Sequence, residues 1–333
     1  MTQEHTPRDR VETLEALAQT QEATGDRASL LETLAELAGL LTELQDEPKT
    51  RSTLNQAYQV AQTIEDEPRM AQPLHQLGLL YHLQGGWDRA LELYHRVLAL
   101  HEKANDRSGI AVTLGSIAEA FQGRRDFRRA LEAYEKSLAL RMELQDERGV
   151  CLTWNNIGTV KARMGIIPEA LEAFEKSLAI QEKLGDPLGK AVTLTNIASL
   201  YQRQENWPEA LRGFEQSLGL YEMVGDTRGL ATTLNNLGLV RRRLGDLDEA
   251  YQSYARARDL MLQLADHLRV TIPLHNMAMI HEERGEYRDA LRLMQEVINI
   301  DKRIGHPDLK QDLQTFGRIR EKLDRERDQR PSA

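Results

Sequence analysis

The sequence predicts an all-α fold, a stack of about seven helix pairs with a capping helix at each end, and three observations predict it. An alanine recurs every 40 residues, at Ala90, Ala130, Ala170, Ala210, Ala250 and Ala290. Apolar residues inside each unit follow helical spacing: Leu91, Tyr94 and Leu98, then Leu131, Tyr134 and Leu138, the i, i+3, i+7 stripe of an amphipathic helix. Only ten prolines are spread over 333 residues, so long helices are allowed almost throughout.

Other positions keep the same phase. A small residue recurs at Gly78, Ala118, Gly158, Ala198, Gly238 and Ala278, and a large one at Tyr94, Tyr134, Phe174, Phe214, Tyr254 and Met294. Asp106, Asp146, Asp186, Asp226 and Asp266 mark one boundary of each unit, where an N-cap carboxylate would accept from the free amides of the next helix. Mid-unit breaks fall at Gly85-Gly86, Arg124–Asp126, Gly165, Glu205-Asn206, Gly245 and Gly285. Each unit therefore reads as two helices joined by tight turns. One pair cannot bury its own apolar stripe, so its neighbours must cover it, and the small residues let helices approach closely.

The organisation expected is a flexible start over 1–8, an N-terminal capping helix over 9–26, a repeat array over 27–306 and a C-terminal capping helix with its tail over 307–333. In the first unit Thr50 takes the place of the phase alanine. The last amphipathic helix is expected over Leu309–Leu323, with a frayed tail from Asp324. Pro73 and Pro273 share a phase near the start of their units. Proline is tolerated only in a first helical turn, so these two helices are expected to start late or to kink.

Trp154, Ile157-Gly158, Gly165, Ala170, Phe174 and Ala179 together resemble the tetratricopeptide-repeat (TPR) family, in its longer 40-residue form similar to Pins/LGN and kinesin light chain. The resemblance covers 28 to about 306 and implies a right-handed α-solenoid superhelix whose first helices line a concave groove. The family serves many partners, so it speaks for fold more than for function.

Composition narrows the function classes. The net charge is −9, from 52 acidic and 43 basic residues, the opposite of a general phosphate-backbone binder. The single cysteine, Cys151, allows neither a disulfide framework nor a cysteine-rich zinc site. No apolar leader follows Met1 and no uncharged apolar run approaches a bilayer span, so a soluble, cytoplasmic chain is expected. No phosphate loop, nucleophile elbow or metal-ligand spacing occurs, and neither a cofactor nor a metal is expected. The reading is non-enzymatic.

On the register that the TPR resemblance implies, the inner position of successive first helices carries Asn156, Asn196, Asn236 and Asn276, with Asn155 and Asn235 as neighbours. Asparagine is a poor mid-helix residue, but its amide both donates to and accepts from a peptide backbone. The resemblance implies an asparagine ladder that clamps an extended segment of another protein. A second row, Arg163, Arg203 and Arg243 with Arg242 beside the last, suits carboxylates and points to an acidic segment. The competing account of these arginines is pairing with local acids such as Glu205, Asp246 and Glu249. The reading adopted is a protein-protein interaction scaffold or adaptor. A peptide- or ligand-responsive sensor, and a structural subunit self-assembling through its ends as a homo-oligomer, stay open as alternatives.

Overall fold

The computed structural model describes residues 7–64 and 70–329. Among them the chain forms sixteen helices and no strand: α1 Pro7–Thr24, α2 Arg27–Glu43, α3 Glu47–Thr63, α4 Ala71–Leu83, α5 Trp87–Lys103, α6 Arg107–Gly123, α7 Phe127–Glu143, α8 Glu147–Arg163, α9 Ile167–Leu184, α10 Pro187–Arg203, α11 Trp207–Val224, α12 Thr227–Leu244, α13 Leu247–Gln263, α14 Thr271–Glu283, α15 Tyr287–Ile304 and α16 Leu309–Gln329. The chain falls into two compact units, Met1–Ala173 and Phe174–Ala333. In the first, α2 packs on α3, α4 on α5 and α6 on α7, and the first helices α2, α4 and α6 touch in succession. The second repeats this plan, with α10 on α11, α12 on α13, α14 on α15, and α10, α12 and α14 touching in succession.

The turns follow a 20-residue rhythm beneath the 40-residue one. A left-handed residue ends each described helix from α1 to α15 except α3: Gly25, Gln45, Gly85, Asn105, Arg125, Gln145, Gly165, Gly185, Glu205, Gly225, Gly245, Ala265, Gly285 and Gly305. Glycine takes this conformation without steric cost, whereas the side-chain-bearing residues there hold it at about 1–2 kcal/mol. Except after Ala265 and Gly305, the following helix starts two residues on. Asp106, Asp146, Asp186 and Asp226 each accept from the backbone N–H of the glycine three residues on, at 2.9, 2.9, 2.9 and 3.1 Å. The boundary aspartates are therefore N-caps, as their spacing predicts. Asp126 caps inside its pair in the same way.

The two prolines delay their helices. α4 and α14 have 13 residues where the other first helices have 17 or 18. Asp266 still caps the amide of Arg269 at 3.0 Å, but Pro273 has no N–H for the Arg269 carbonyl. The amide of Ile272 takes that carbonyl at 3.1 Å in a tighter turn, and the α-helix starts at Thr271.

Small phase residues sit under large ones. A Cβ at Gly78 would lie 2.6 Å from the Tyr94 ring, and one at Gly238 would lie 2.7 Å from the Tyr254 ring. Both rings are fully buried. Ser137 and Ser217 are also fully buried, and each hydroxyl donates across its pair to a first-helix carbonyl, Ala111 at 2.7 Å and Ala191 at 2.9 Å. Thr50 is buried as well and donates to the Asp46 carbonyl at 2.8 Å, so its hydroxyl is satisfied where the later units carry alanine.

Both ends differ from the expected lengths. α1 starts at Pro7, not residue 9; residues 1–6 of the expected flexible start lie outside the described residues. α16 continues through Gln329 instead of fraying from Asp324. Its Asp-Arg-Glu-Arg-Asp-Gln run contains no helix breaker, and Glu321 and Arg325 pair one turn apart at 3.8 Å. The inner side of α16 is anchored by fully buried Ile319, packed with Phe316 into the core around Leu293 and Val297.

Candidate interaction face

The asparagines lie where helical spacing puts them. In the second unit Asn196, Asn236 and Asn276 occupy one phase of α10, α12 and α14, all half-buried. In the first unit Asn156 stands half-buried at the same phase of α8. Their neighbours serve packing instead. Asn155 is buried, and Asn235 accepts from the Asn276 amide at 3.3 Å, a bond that ties α12 to α14 and engages Asn276 as well.

The arginines divide into two groups. Arg163, Arg203 and Arg243 are exposed at the C-terminal ends of α8, α10 and α12, where a cation also suits the helix dipole. Arg243 lies over the Trp207 ring, 5.9 Å from its centroid. Arg242 is turned into an ion pair with Glu283, its Nε 2.9 Å from the carboxylate. Arg241 holds Glu249 at 3.2 Å and Glu215 at 3.3 Å. The local-pairing account thus describes Arg241 and Arg242, while exposed Arg203 and Arg243 also have partners within the chain.

A third row escaped the reading of the sequence. Val112 and Leu152 in the first unit, and Val192 and Ile272 in the second, are exposed and repeat at the 40-residue interval. Each lies four residues before the asparagine phase, one turn away on the same helix face. The spacing was visible in the sequence; the exposure was not, because an aliphatic residue near a helix start reads as core by default.

The phase shared by these rows lines a groove in the first unit. Glu32, Glu36, Gly39 and Glu43 of α2 and Gln72, Gln76, Leu79 and Leu83 of α4 border a cavity of about 790 Å³, with Arg10 of α1 at its side. On α6 the same face carries half-buried Glu119, whose carboxyl burial pushes upward against the pull of Arg141.

Histidines near this face pack or pair. His75 shares a hydrogen bond with Ser116 at 2.9 Å, and its ring is held below the ordinary imidazole range by burial, with His101 adding to the effect. His281 stacks edge-on to Tyr251 at 5.1 Å. No group of three or more His, Cys, Asp or Glu placed to hold a metal occurs among the described residues, and none of their helices is long and apolar enough to cross a membrane.

The model of the tetratricopeptide repeat matches residues 29–103, 69–143, 149–223 and 229–303. Each match spans two helix pairs, and together they cover most of the chain. The chain belongs to the tetratricopeptide-repeat family. No curated protein matches this TPR chain. Among solved structures it is similar to BtubC (BKLC) from P. vanneervenii, with 23% identity, 66% of this chain and 89% of that one covered, and a TM-score of 0.52. A Rap protein complexed with Competence and Sporulation Factor shares 14% identity over 95% of this chain and 94% of its own, at a TM-score of 0.61. The quorum sensor NprR from B. thuringiensis shares 16% identity over 94% and 97%, at 0.54. At these identities the likeness is one of fold.

Proposed function

We propose that this TPR chain is a non-enzymatic interaction scaffold that holds an extended, acidic segment of a partner protein across its first helices. In the second unit Asn196 and Asn236 bond the peptide backbone, Asn276 joins them through the amide atoms that its bond to Asn235 leaves over, and Arg203 and Arg243 meet the peptide's carboxylates. In the first unit Asn156 and Arg163 stand ready for the same roles. One observation carries the reading: the same side-chain amide, half-exposed, at the same phase of three first helices that touch in succession. First helices lie roughly 8–10 Å apart and an extended chain advances about 3.3 Å per residue, so one asparagine meets the ligand about every third residue.

The test is capture of a partner from cell extract, its identification, and titration of its bound segment against purified protein. The variant Asn196→Ala/Asn236→Ala/Arg203→Glu/Arg243→Glu, checked for unchanged helicity, should bind that segment at least about tenfold more weakly, a change of 1.4 kcal/mol. Equal affinity would move the contact to the other helix faces or the termini.

Two named neighbours support an alternative, in which a peptide changes the array and so a second contact: one is complexed with Competence and Sporulation Factor, the other is a quorum sensor. A change in radius of gyration on peptide addition would favour the sensor, and an unchanged radius the scaffold. Self-assembly through the ends is tested by sedimentation, where a concentration-independent monomer removes it.

A further inference from the structure

The face that would clamp a peptide backbone has two chemically different edges. On α10 one face runs exposed Leu188 and Val192, half-buried Asn196 and exposed Arg203; on α14 the run begins with exposed Leu268 and Ile272 and half-buried Asn276, with Leu268 in the turn just before the helix. The four aliphatic residues are 45, 41, 55 and 48% exposed, too exposed to be core, and all lie on the N-terminal side of the asparagine row. On the C-terminal side stand exposed Arg203 and Arg243, with no aliphatic residue at that phase in the second unit. α12 breaks the apolar edge, carrying Arg228 and Thr232 at the matching positions.

Resting on the proposed peptide-clamping role, we infer that the segment bound by the second unit alternates in chemistry: apolar side chains toward the Leu188–Val192 and Leu268–Ile272 edge, acidic ones toward the Arg203–Arg243 edge. The physical reason is the pleat. In an extended chain successive side chains point to opposite sides, so a backbone held along the asparagine row sends alternate residues to the two edges. The spacing allows this. Two first-helix steps separate α10 from α14, about 16–20 Å, which an extended chain spans in about five to six residues. At a separation of about six, two apolar anchors point to the same edge. Arg228, at the gap between them, disfavours a third basic or strongly apolar anchor there. The occupant is thus an extended segment with apolar residues about six apart and acidic residues at the opposite parity, not a uniformly acidic run.

The experiment is selection from a displayed random library of peptides about 12 residues long, enough to cross three first helices, followed by fluorescence titration of the selected peptides. Wild type should enrich sequences whose apolar and acidic positions fall on opposite parities. Val192→Ser/Ile272→Ser should erase the apolar preference and keep the acidic one; these are surface positions, so helicity and melting should be unchanged. Arg203→Glu/Arg243→Glu should replace the acidic preference with a basic one. Enrichment of acidic peptides without alternation, or an apolar preference unmoved by Val192→Ser/Ile272→Ser, would overturn the inference while leaving the clamp in place, provided Asn196→Ala/Asn236→Ala still weakens every selected peptide. Peptides selected by wild type and bound equally by Asn196→Ala/Asn236→Ala would overturn the clamp and the inference together, as would failure of wild type to enrich any peptide.

Discussion

Asp301 shows how far one residue can depart from its sequence appearance. It closes the last turn of α15 as an ordinary polar residue, yet it is fully buried and neither carboxylate oxygen has a hydrogen-bond partner among the described residues. Burial, then the neighbouring Asp312 carboxyl, pushes its pKa up to about 6, with Asp308 adding to the rise and His306 opposing it. Asp312 in turn bonds the His275 ring at 2.7 Å. A carboxyl whose folded pKa lies above its unfolded value of about 3.9 contributes most when protonated. Stability should therefore fall as pH rises from about 4 to about 6, then stay flat as far as this group is concerned. Asp301→Asn should remove that slope and raise stability at pH 7.5 by on the order of 1–2 kcal/mol, read as urea midpoints across pH. A midpoint lower than wild type at pH 7.5 would contradict this. Gly238 makes a second residue-scale case. Its place beneath the buried Tyr254 ring leaves no room for a methyl group, so Gly238→Ala should cost about 1–3 kcal/mol by overpacking, measured by thermal melting. Gly39, with open space around its Cβ position, serves as the control and should tolerate alanine.

At the scale of the helix, the turns and starts decide length. Arg125 and Glu205 hold the left-handed conformation that glycine holds at Gly85, Gly165 and Gly245. Arg125→Gly and Glu205→Gly should each stabilise by about 1 kcal/mol through relief of that strain, while Gly245→Ala should destabilise by a similar amount; chemical denaturation of the three variants decides it. Pro273 sets the start of α14 by withholding one amide. Threonine occupies the same phase in five first helices, at Thr33, Thr113, Thr153, Thr193 and Thr233. Pro273→Thr should let Asp266 cap a full helix and extend α14 backward by about four residues, visible as helical backbone chemical shifts at 267–270. Unchanged shifts would mean that packing, not the proline, delays the helix. Helix boundaries were legible in the sequence wherever an aspartate caps or a glycine turns, because those roles are local. The continuation of α16 past Leu323 was not, since a charged run suits a helix and a frayed tail equally until the helix is docked.

At the scale of the molecule, each unit is a sum of helix pairs that bury their stripes against neighbours, so terminal helices protect the last interface. α16 covers the end of the second unit through Ile319 and Phe316. Truncation after Gly305 should expose the Leu293–Val297 side of α15, lower the melting temperature and increase binding of a hydrophobic dye. An unchanged melt would show α16 to be dispensable to the core. The architecture was legible because a repeat states its own period five times over, from Ala90 to Ala290. The candidate face was legible only in part: the asparagine and arginine rows follow from phase, but which members serve packing does not. Asn155 and Asn235 look equivalent to their neighbours in the sequence, and Arg242 looks like Arg243. Burial, the Asn235–Asn276 bond and the Glu283 ion pair separate them.

The sequence by itself determined the all-α repeat, its 40-residue period, the capping aspartates, the late starts at the two prolines and the positions that share a helix face. All of these rest on interactions within about four residues, or on a pattern that recurs. Only the tertiary structure decided which side chains are spent between helices and which remain on the surface: the buried Asp301–Asp312 pair, the arginines consumed in ion pairs, and the aliphatic edge beside the asparagines. Those outcomes depend on what a neighbouring helix places opposite each residue, which is a contact between different helices and leaves no mark on local spacing.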